Sequence, residues 1–395
     1  MLADELRQHG MSINAATVRL GSIASFGVLA YACGKLFLGG LGDFWGGRRS
    51  FLGGMAGAVV FTLFFTLSGG LPIFTLAWIG NRLSQSIGWA GLVKVCSKWF
   101  DYMAYGRVVG ILSLSFLIGD AVARQSMSLL IQHGHGWRFL FYFAAMICGG
   151  IFVANLLLLR ESRTEVGFPE PEVSPLNVFQ GRNSLATQRG VGKILLPLIT
   201  NRGFWIVCFL SLGTTIIRET FNTWMPTYLH SFFGYSNASS AGMSSVFPAV
   251  GAVSVILAAW AGDRLGANGR AIVSFVGLAT VTVGLLNLAL LSRGVQTLVP
   301  MALIGLVAFG LLGPYSYLAG ALALDFGGKQ GGATSSGIID GIGYLGGVLA
   351  GHSVARLSVA AGWKGVFTAL AVVSAISAIA SILLYLHQQR RLAND

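Results

Sequence analysis

Charge is scarce in this chain. Charged residues make up 10% of its 395 residues, whereas hydrophobic residues make up 54%. Soluble domains carry roughly 25% charged residues, and the mean hydropathy here is +0.72. Such a chain cannot cover a water-facing surface along most of its length. The composition therefore excludes a soluble globular protein and predicts an integral membrane protein whose solvent is lipid.

Metal ligands and nucleotide-binding loops are also lacking. The four cysteines lie in apolar segments and the six histidines show no zinc spacing. No P-loop sequence is present, so ATP hydrolysis by this chain is excluded. We expect no enzyme activity, no cofactor and no metal. The formal net charge of +12 fits loops beside a membrane, so we expect no nucleic-acid partner.

Long apolar segments are abundant. Eleven of them, each near the roughly 20 residues that a helix needs to span a bilayer, lie near 17–39, 50–69, 72–99, 106–131, 137–159, 203–229, 239–261, 270–292, 296–324, 331–356 and 363–387. One long polar stretch separates the fifth segment from the sixth. The pattern predicts an all-α membrane protein with a helical bundle in 1–160, a linker in 161–201 and a second bundle in 202–395.

Lys and Arg are distributed unevenly when loops are assigned to alternating sides. Most fall on the side that carries the 41–49 loop, including Arg48, Lys98, Arg107 and Arg264. Cytoplasmic loops of membrane proteins are enriched in these residues. We therefore expect a plasma (inner) membrane protein with its C-terminus in the cytoplasm.

The two bundles repeat each other. Gly42, Asp43, Gly46 and Arg48 in the first polar turn match Gly262, Asp263, Gly266 and Arg270, and the Gly-Trp-Arg at 136–138 matches the Gly-Trp-Lys at 362–364. The offsets of about 220 residues agree at equivalent helix junctions, which indicates a duplicated unit. Duplicated units are typical of secondary transporters.

The 39–49 turn, Gly-Gly-Leu-Gly-Asp-Phe-Trp-Gly-Gly-Arg-Arg, resembles the loop between helices 2 and 3 of the major facilitator superfamily. The resemblance implies a fold of two pseudo-symmetric helical bundles. It also implies that Gly42, Asp43, Arg48, Gly262, Asp263 and Arg270 belong to cytoplasmic gating turns. That family has twelve helices and this chain shows eleven, so we expect transmembrane helix 1 to be missing.

Further segments are similar to the organophosphate:phosphate antiporters, which include carriers of glycerol-3-phosphate and hexose phosphates. They are Arg218–Leu229, Gln85–Trp89 with Lys98–Phe100, Gly313–Pro314, Gly343–Gly347 and Gly167–Pro169. The resemblance implies that Arg218 binds phosphate and that Tyr31 and Lys35 line the substrate cavity. It departs at Phe116, which stands where those carriers have a histidine, so specificity for a phosphate ester is in doubt there.

Charged residues inside the predicted spans support an anionic substrate independently of the family. The cations there are Lys35, Arg82, Lys94, Arg124 and Arg218, and the acids are Asp120, Glu219 and Asp340. A charge in mid-membrane costs about 2.5–3.5 kcal/mol on insertion scales, so each must be paired or line a wet cavity. The excess of cations predicts a neutral or slightly positive cavity that an anion completes.

The candidate substrate-binding residues are Arg218, Lys35, Tyr31, Lys94, Arg124 and Asp340. Tyr31 and Lys35 share one helix face, and a guanidinium fits phosphate oxygens bidentately. Structural ion pairs are the alternative for Arg218, for Asp340 and for the Asp120–Arg124 pair.

We expect a secondary transporter, working as a monomer, that exchanges a phosphate ester or another small organic anion for inorganic phosphate. The empty site should resist reorientation because its cations are unpaired. A proton-coupled carrier of another nutrient, with Asp120 or Asp340 as the proton site, is one alternative. A transporter-like sugar-phosphate sensor and a non-functional fragment are the others.

Overall fold

The computed structural model of the chain describes residues 13–67, 69–179, 190–266 and 268–393. The side chains of Asp120 and Arg124 lie outside the described residues, although their backbone is helical. The part of the chain that is described is helical and contains no strand. The predicted all-α class is confirmed.

Six helices form the first half of the molecule. They are α1 (Ile13–Leu38), α2 (Leu41–Trp45), α3 (Gly47–Leu67), α4 (Leu71–Trp99), α5 (Tyr105–Gln132) and α6 (Trp137–Leu158). Two short 3₁₀ turns, Tyr102–Ala104 and Arg163–Val166, follow α4 and α6. Helix α2 is the first gating turn, and Gly46 separates it from α3 with a φ of 92°, a conformation that glycine adopts without strain.

Seven more helices follow α6 in the described part of the chain, and the first of them lies within the predicted linker. They are α7 (Val191–Ile199), α8 (Arg202–Phe233), α9 (Asn237–Ser244), α10 (Val246–Arg264), α11 (Gly269–Leu290), α12 (Leu298–Tyr317) and α13 (Ala323–Leu392). A π-helical turn, Leu318–Leu322, joins α12 to α13. We call α8 to α13 the second half.

Helix α13 is three consecutive helical segments rather than one rod. Its backbone leaves helical geometry at Gly328, Gly331 and Gly362. Gly328 and Gly362 have φ values of 49° and 65°, which favour glycine. The breaks separate the 332–361 and 363–392 segments, which correspond to the last two predicted spans.

Seven helical stretches of the described residues are long and apolar enough to cross a membrane by length and composition. Many of their apolar side chains stay exposed, such as Val60, Leu158 and Ile379. A surface of this kind requires lipid as its solvent. The chain is an integral, multi-pass membrane protein.

The two halves meet along two seams. Helix α5 of the first half packs against α10 of the second, and the 332–361 segment of α13 packs against α1 and α4. Glycines allow close approach along the second seam, where a Cβ at Gly39 would lie 2.7 Å from the Cα of Gly337. The seam brings side chains from both halves to one cavity.

Candidate functional site: a charged cavity between the two halves

A cavity of about 240 Å³ lies between the halves. Its walls come from α1, α4 and α5 on one side and from α8, α10, α12 and α13 on the other. The charged and aromatic side chains that line it are Tyr31, Lys35, Trp89, Phe116, Arg218, Phe247, Tyr315, Asp340 and Tyr344. Four of the six candidate binding residues, Tyr31, Lys35, Arg218 and Asp340, are therefore brought together.

Lys35 forms one charged centre of the cavity. Its ammonium forms an ion pair with Asp340 of the other half, and the Lys35 side chain is 2% exposed. The ammonium also lies 4.9 Å from the centroid of the Tyr31 ring and 5.9 Å from that of Tyr344. These two rings contact each other edge to face at 4.9 Å. The aromatic faces stabilise the cation, and the carboxylate balances its charge.

Arg218 forms the second centre. Its Nε donates to Glu219 Oε1 at 3.1 Å, and its Nη2 donates to the same oxygen. The guanidinium carbon lies 4.4 Å from the centroid of the Tyr315 ring. Arg218 is 8% exposed and Glu219 has 27% of its side chain exposed. The buried guanidinium is therefore fixed by a neighbour on its own helix and by an aromatic face of α12.

The empty cavity differs electrostatically from the sequence expectation. Among its described lining residues, each cation has an acid partner: Lys35 has Asp340 and Arg218 has Glu219. We expected unpaired cations to prevent the empty site from reorienting. That expectation is wrong for these two residues, because both are paired. The sequence could not show the Lys35–Asp340 pairing, because these two residues are 305 positions apart.

Lys94 is not among the residues that line this cavity. Lys94 lies at one end of the molecule, where its ammonium is 2.7 Å from Asp43 Oδ1 and donates to the carbonyl of Lys329. The Arg124 side chain lies outside the described residues. Arg82, another cation of the predicted spans, has its guanidinium carbon 4.5 Å from the centroid of the Trp78 ring.

Sequence reasoning missed the cavity roles of Trp89 and Asn222. The indole Nε1 of Trp89 donates to the carbonyl of Ala319 in the other half at 3.1 Å. Ala319 belongs to the π-helical turn that follows Pro314. π-Helical turns are rare and frequent at functional sites. Pro314 inside a predicted span was the available signal, because a proline removes one helical hydrogen bond and distorts the helix.

Asp43 of the first gating turn joins the two halves at one end of the molecule. Its carboxylate accepts hydrogen bonds from the backbone N–H groups of Ala333, at 3.2 Å, and Thr334, at 2.7 Å. Those groups start the 332–361 segment of the other half, where a helix has unsatisfied donors and partial positive charge. The first gating turn thus caps a helix of the second half.

Asp263 makes the equivalent contact in the opposite direction. It accepts from the N–H groups of Gly106, at 3.0 Å, and Arg107, at 2.8 Å, at the start of α5. Arg270 bridges Asp263, at 3.0 Å, and Asp325, at 2.6 Å. The duplicated turns therefore cap helices reciprocally across the interface.

Arg48 and Glu161 hold the first turn in place. Glu161 accepts from the N–H groups of Gly47, at 2.9 Å, and Arg48, at 2.7 Å, and pairs with Lys98 at 2.7 Å. Burial would raise the pKa of Glu161, but these donors outweigh it and lower the pKa below its usual range. The Arg48 guanidinium donates to the carbonyls of Leu159 and Leu156.

The described part of the linker closes the same end. Leu176 and Phe179 are buried, and the N–H of Val178 donates to the carbonyl of Phe326 at 3.0 Å. The carbonyl of Glu172 accepts from the N–H of Tyr102 in the first half at 3.2 Å. The linker contacts both halves, so the end that carries Asp43 and Asp263, which we call the sealed end, is closed by backbone and side-chain contacts together.

Comparisons with known proteins agree with this architecture. The sequence model of the Major Facilitator Superfamily matches residues 3–351. A probable hexose phosphate transport protein of Chlamydia pneumoniae is 23% identical, over 91% of this chain and 81% of its own length. The glycerol-3-phosphate transporter of Bacillus subtilis is 26% identical, over 96% of this chain and 85% of its own length.

Solved structures share the fold at lower identity. The human organic anion transporter MFSD10 superposes with a TM-score of 0.68 and 15% identity, covering 96% of this chain and 88% of that one. At this level of identity the likeness concerns the fold alone, and it agrees with two helical halves around a central cavity.

Proposed function

This chain belongs to the Major Facilitator Superfamily, and from that premise we propose that it is a secondary transporter that exchanges a phosphate ester for inorganic phosphate by alternating access. The observation that carries the proposal is the placement of two buried cations, Lys35 and Arg218, in one cavity between two duplicated halves. The named relatives that transport hexose phosphate or glycerol-3-phosphate support the ester as substrate.

Two kinds of cation suit the phosphate group of such a substrate. The Arg218 guanidinium offers a planar fork of donors to phosphate oxygens, and Lys35 adds a compact charge. Tyr31, Tyr344 and Asn222 line the same cavity and offer polar groups to hydroxyls of the ester. We assign phosphate binding to Arg218 and Lys35, and the neighbouring polar groups to recognition of the rest of the molecule.

In this proposal the sealed end faces the cytoplasm, and the C-terminus lies on the cytoplasmic side of a plasma membrane. Lys and Arg are concentrated in the loops at this end, in accordance with their usual cytoplasmic enrichment. The transporter works as a monomer, with bundles in 1–160 and 202–395 joined by a linker in 161–201. The bundles rock about the cavity, so that the sealed end opens after the substrate binds.

Uptake into phosphate-loaded proteoliposomes tests the function. We expect labelled glycerol-3-phosphate or glucose-6-phosphate to enter only when inorganic phosphate is inside. Arg218→Lys should lower uptake about tenfold or more, because it removes the bidentate geometry of charge-assisted hydrogen bonds worth ~1.5–3 kcal/mol each. Binding of the esters without counterflow would indicate a sensor instead.

Arg264→Lys is the matched control. The Arg264 guanidinium also lies over an aromatic ring, 4.1 Å from the centroid of Trp260, but it does not line the cavity. We expect this variant to transport like the parent protein. Equal uptake by the Arg218→Lys variant would contradict the assignment of Arg218 to the phosphate.

A further inference from the structure

The two ion pairs of the cavity differ in how they relate to the moving parts. Arg218 and Glu219 are consecutive residues of α8, so their pair moves as one unit. Lys35 belongs to α1 of the first half and Asp340 to α13 of the second. Only the second pair, among the described cavity residues, connects the two halves. Rocking of the halves therefore acts on the Lys35–Asp340 pair and leaves the other intact.

The backbone next to this pair fixes the pair in the seam between the halves. A Cβ at Gly337 would lie 2.8 Å from the carbonyl oxygen of Lys35 and 2.9 Å from the Cα of Gly39. One turn along, a Cβ at Gly341 would lie 2.6 Å from the Leu36 side chain. Because close contacts lie on both sides of Asp340, separation of the helices at this seam would stretch the Lys35–Asp340 pair.

A bound anion and Asp340 compete for the same ammonium. A phosphate oxygen that takes Lys35 displaces the Asp340 carboxylate and leaves it facing a second negative charge. The titratable and charged groups that line this cavity around Asp340 are Lys35 and Tyr31 of α1, Arg218 of α8, Tyr315 of α12 and Tyr344 of its own helix, and Glu219 pairs with Arg218 beside them. Since Arg218 keeps Glu219, none of the described groups offers the displaced carboxylate a free cation.

We propose that Asp340 is a proton-binding site, and that each anion crosses the membrane together with one proton on this carboxylate. The inference rests on the proposed function. On binding, the Lys35 ammonium exchanges its Asp340 partner for a phosphate oxygen, and an Asp340 oxygen gains a proton from solution. The loaded cavity then carries one negative charge less than a dianion alone would give it, and the direct Lys35–Asp340 pair no longer joins the halves. Without an anion, Asp340 holds Lys35 and the sealed end stays closed.

Calorimetric titration of the purified protein with glycerol-3-phosphate and glucose-6-phosphate at pH 8 tests this inference. A phosphate ester has a second pKa of about 6, so about 99% of the ligand is already the dianion at this pH. Repeating the titration in buffers of different ionisation enthalpy gives the number of protons taken up per ligand bound. We expect about one proton for the parent protein.

Two isosteric variants locate the proton. Asp340→Asn should bind the ester about tenfold or more tightly, because the competitor of a charge-assisted hydrogen bond is removed, and should take up no proton. Glu219→Gln removes the other cavity acid and should still take up a proton. Proton uptake that is lost in Glu219→Gln and kept in Asp340→Asn would overturn the assignment of the proton to Asp340.

The parent protein alone decides the inference if Asp340→Asn does not fold. Ester binding without proton uptake overturns the proton site and leaves the proposed function standing. Failure of the folded parent protein to bind either ester overturns the proposed function itself, and the proton site with it.

Discussion

The substitution Asp43→Asn tests how much the Asp43 carboxylate stabilises the sealed end. The carboxylate of this fully buried side chain is bonded to two N–H groups of the other half, at 3.2 and 2.7 Å, and to Lys94 of its own half. The first two contacts exist only while this end is closed, whereas the pair with Lys94 persists on opening. Asp43→Asn therefore weakens the sealed state selectively, because the amide keeps one acceptor oxygen and loses the negative charge.

The size of the effect follows from these contacts. Hydrogen bonds to a charged group contribute about 1.5–3 kcal/mol, and a charge at a helix N-terminus adds 0.3–1 kcal/mol. A neutral acceptor at the same place retains part of this, so we expect a loss of ~2 kcal/mol from the sealed state. That loss shifts the ratio of sealed to open molecules about thirtyfold toward the open state.

Spin labels at two exposed positions measure this ratio. Trp45 of the first half and Leu265 of the second are 61% and 53% exposed, near the two gating turns. After replacement of the four native cysteines, labels at these positions report the separation of the halves by pulsed electron paramagnetic resonance. The Asp43→Asn variant should show a larger fraction of long distances than the parent.

An exposed ion pair provides the matched control. Glu170 of the linker lies 2.8 Å from Lys329 of the second half, with 76% of its side chain exposed. Exposed pairs contribute little, so Glu170→Gln should leave the distance distribution unchanged. If Asp43→Asn also leaves it unchanged, the capping contact does not set the equilibrium and the reasoning is refuted.

Two further predictions concern the seam and the first turn. Gly337→Ala should open the sealed end in the same label assay, because its methyl group would meet two backbone atoms of the first half, in Lys35 and Gly39, at 2.8 and 2.9 Å. Gly351→Ala, with no neighbour within 4 Å, is its control, and equal distributions for both would contradict the prediction. Glu161→Gln should lower the free energy of unfolding by about 2 kcal/mol at neutral pH. The pKa of Glu161 is lowered from 4.5 in the folded state, so the difference should hold above pH 4.5 and shrink as pH falls below it, as chemical unfolding at several pH values would show. A difference that grows on acidification would exclude this role for Glu161.

The helices and the repeat could be predicted because lipid imposes a simple rule on sequence. Most predicted spans correspond to helices within a few residues, as 137–159 does to α6, Trp137–Leu158. The matching turns at Asp43 and Asp263 fall at equivalent places. Length and hydropathy determine these features, since a spanning segment must satisfy its own backbone hydrogen bonds.

The pairing of charges could not be predicted because it depends on how helices are placed in three dimensions. The sequence places both Lys94 and Lys35 inside predicted spans. In the structure, Lys94 forms an ion pair with Asp43 at the sealed end, whereas Lys35 forms one with Asp340 in the cavity. Neither partner is near in sequence. The assignment of these residues to substrate binding stays a prediction, and the geometry supports it for Lys35 and Arg218 more than for Lys94.

The reciprocal caps also have a consequence for biogenesis. During synthesis, α5 emerges before Asp263 exists, so the N–H groups of Gly106 and Arg107 wait for a carboxylate that is translated more than 150 residues later. Asp43 likewise waits for Ala333 and Thr334. Each half thus carries the carboxylate that caps a helix of the other half. Polypeptides divided within the linker should recognise each other through these caps and reassemble in the membrane.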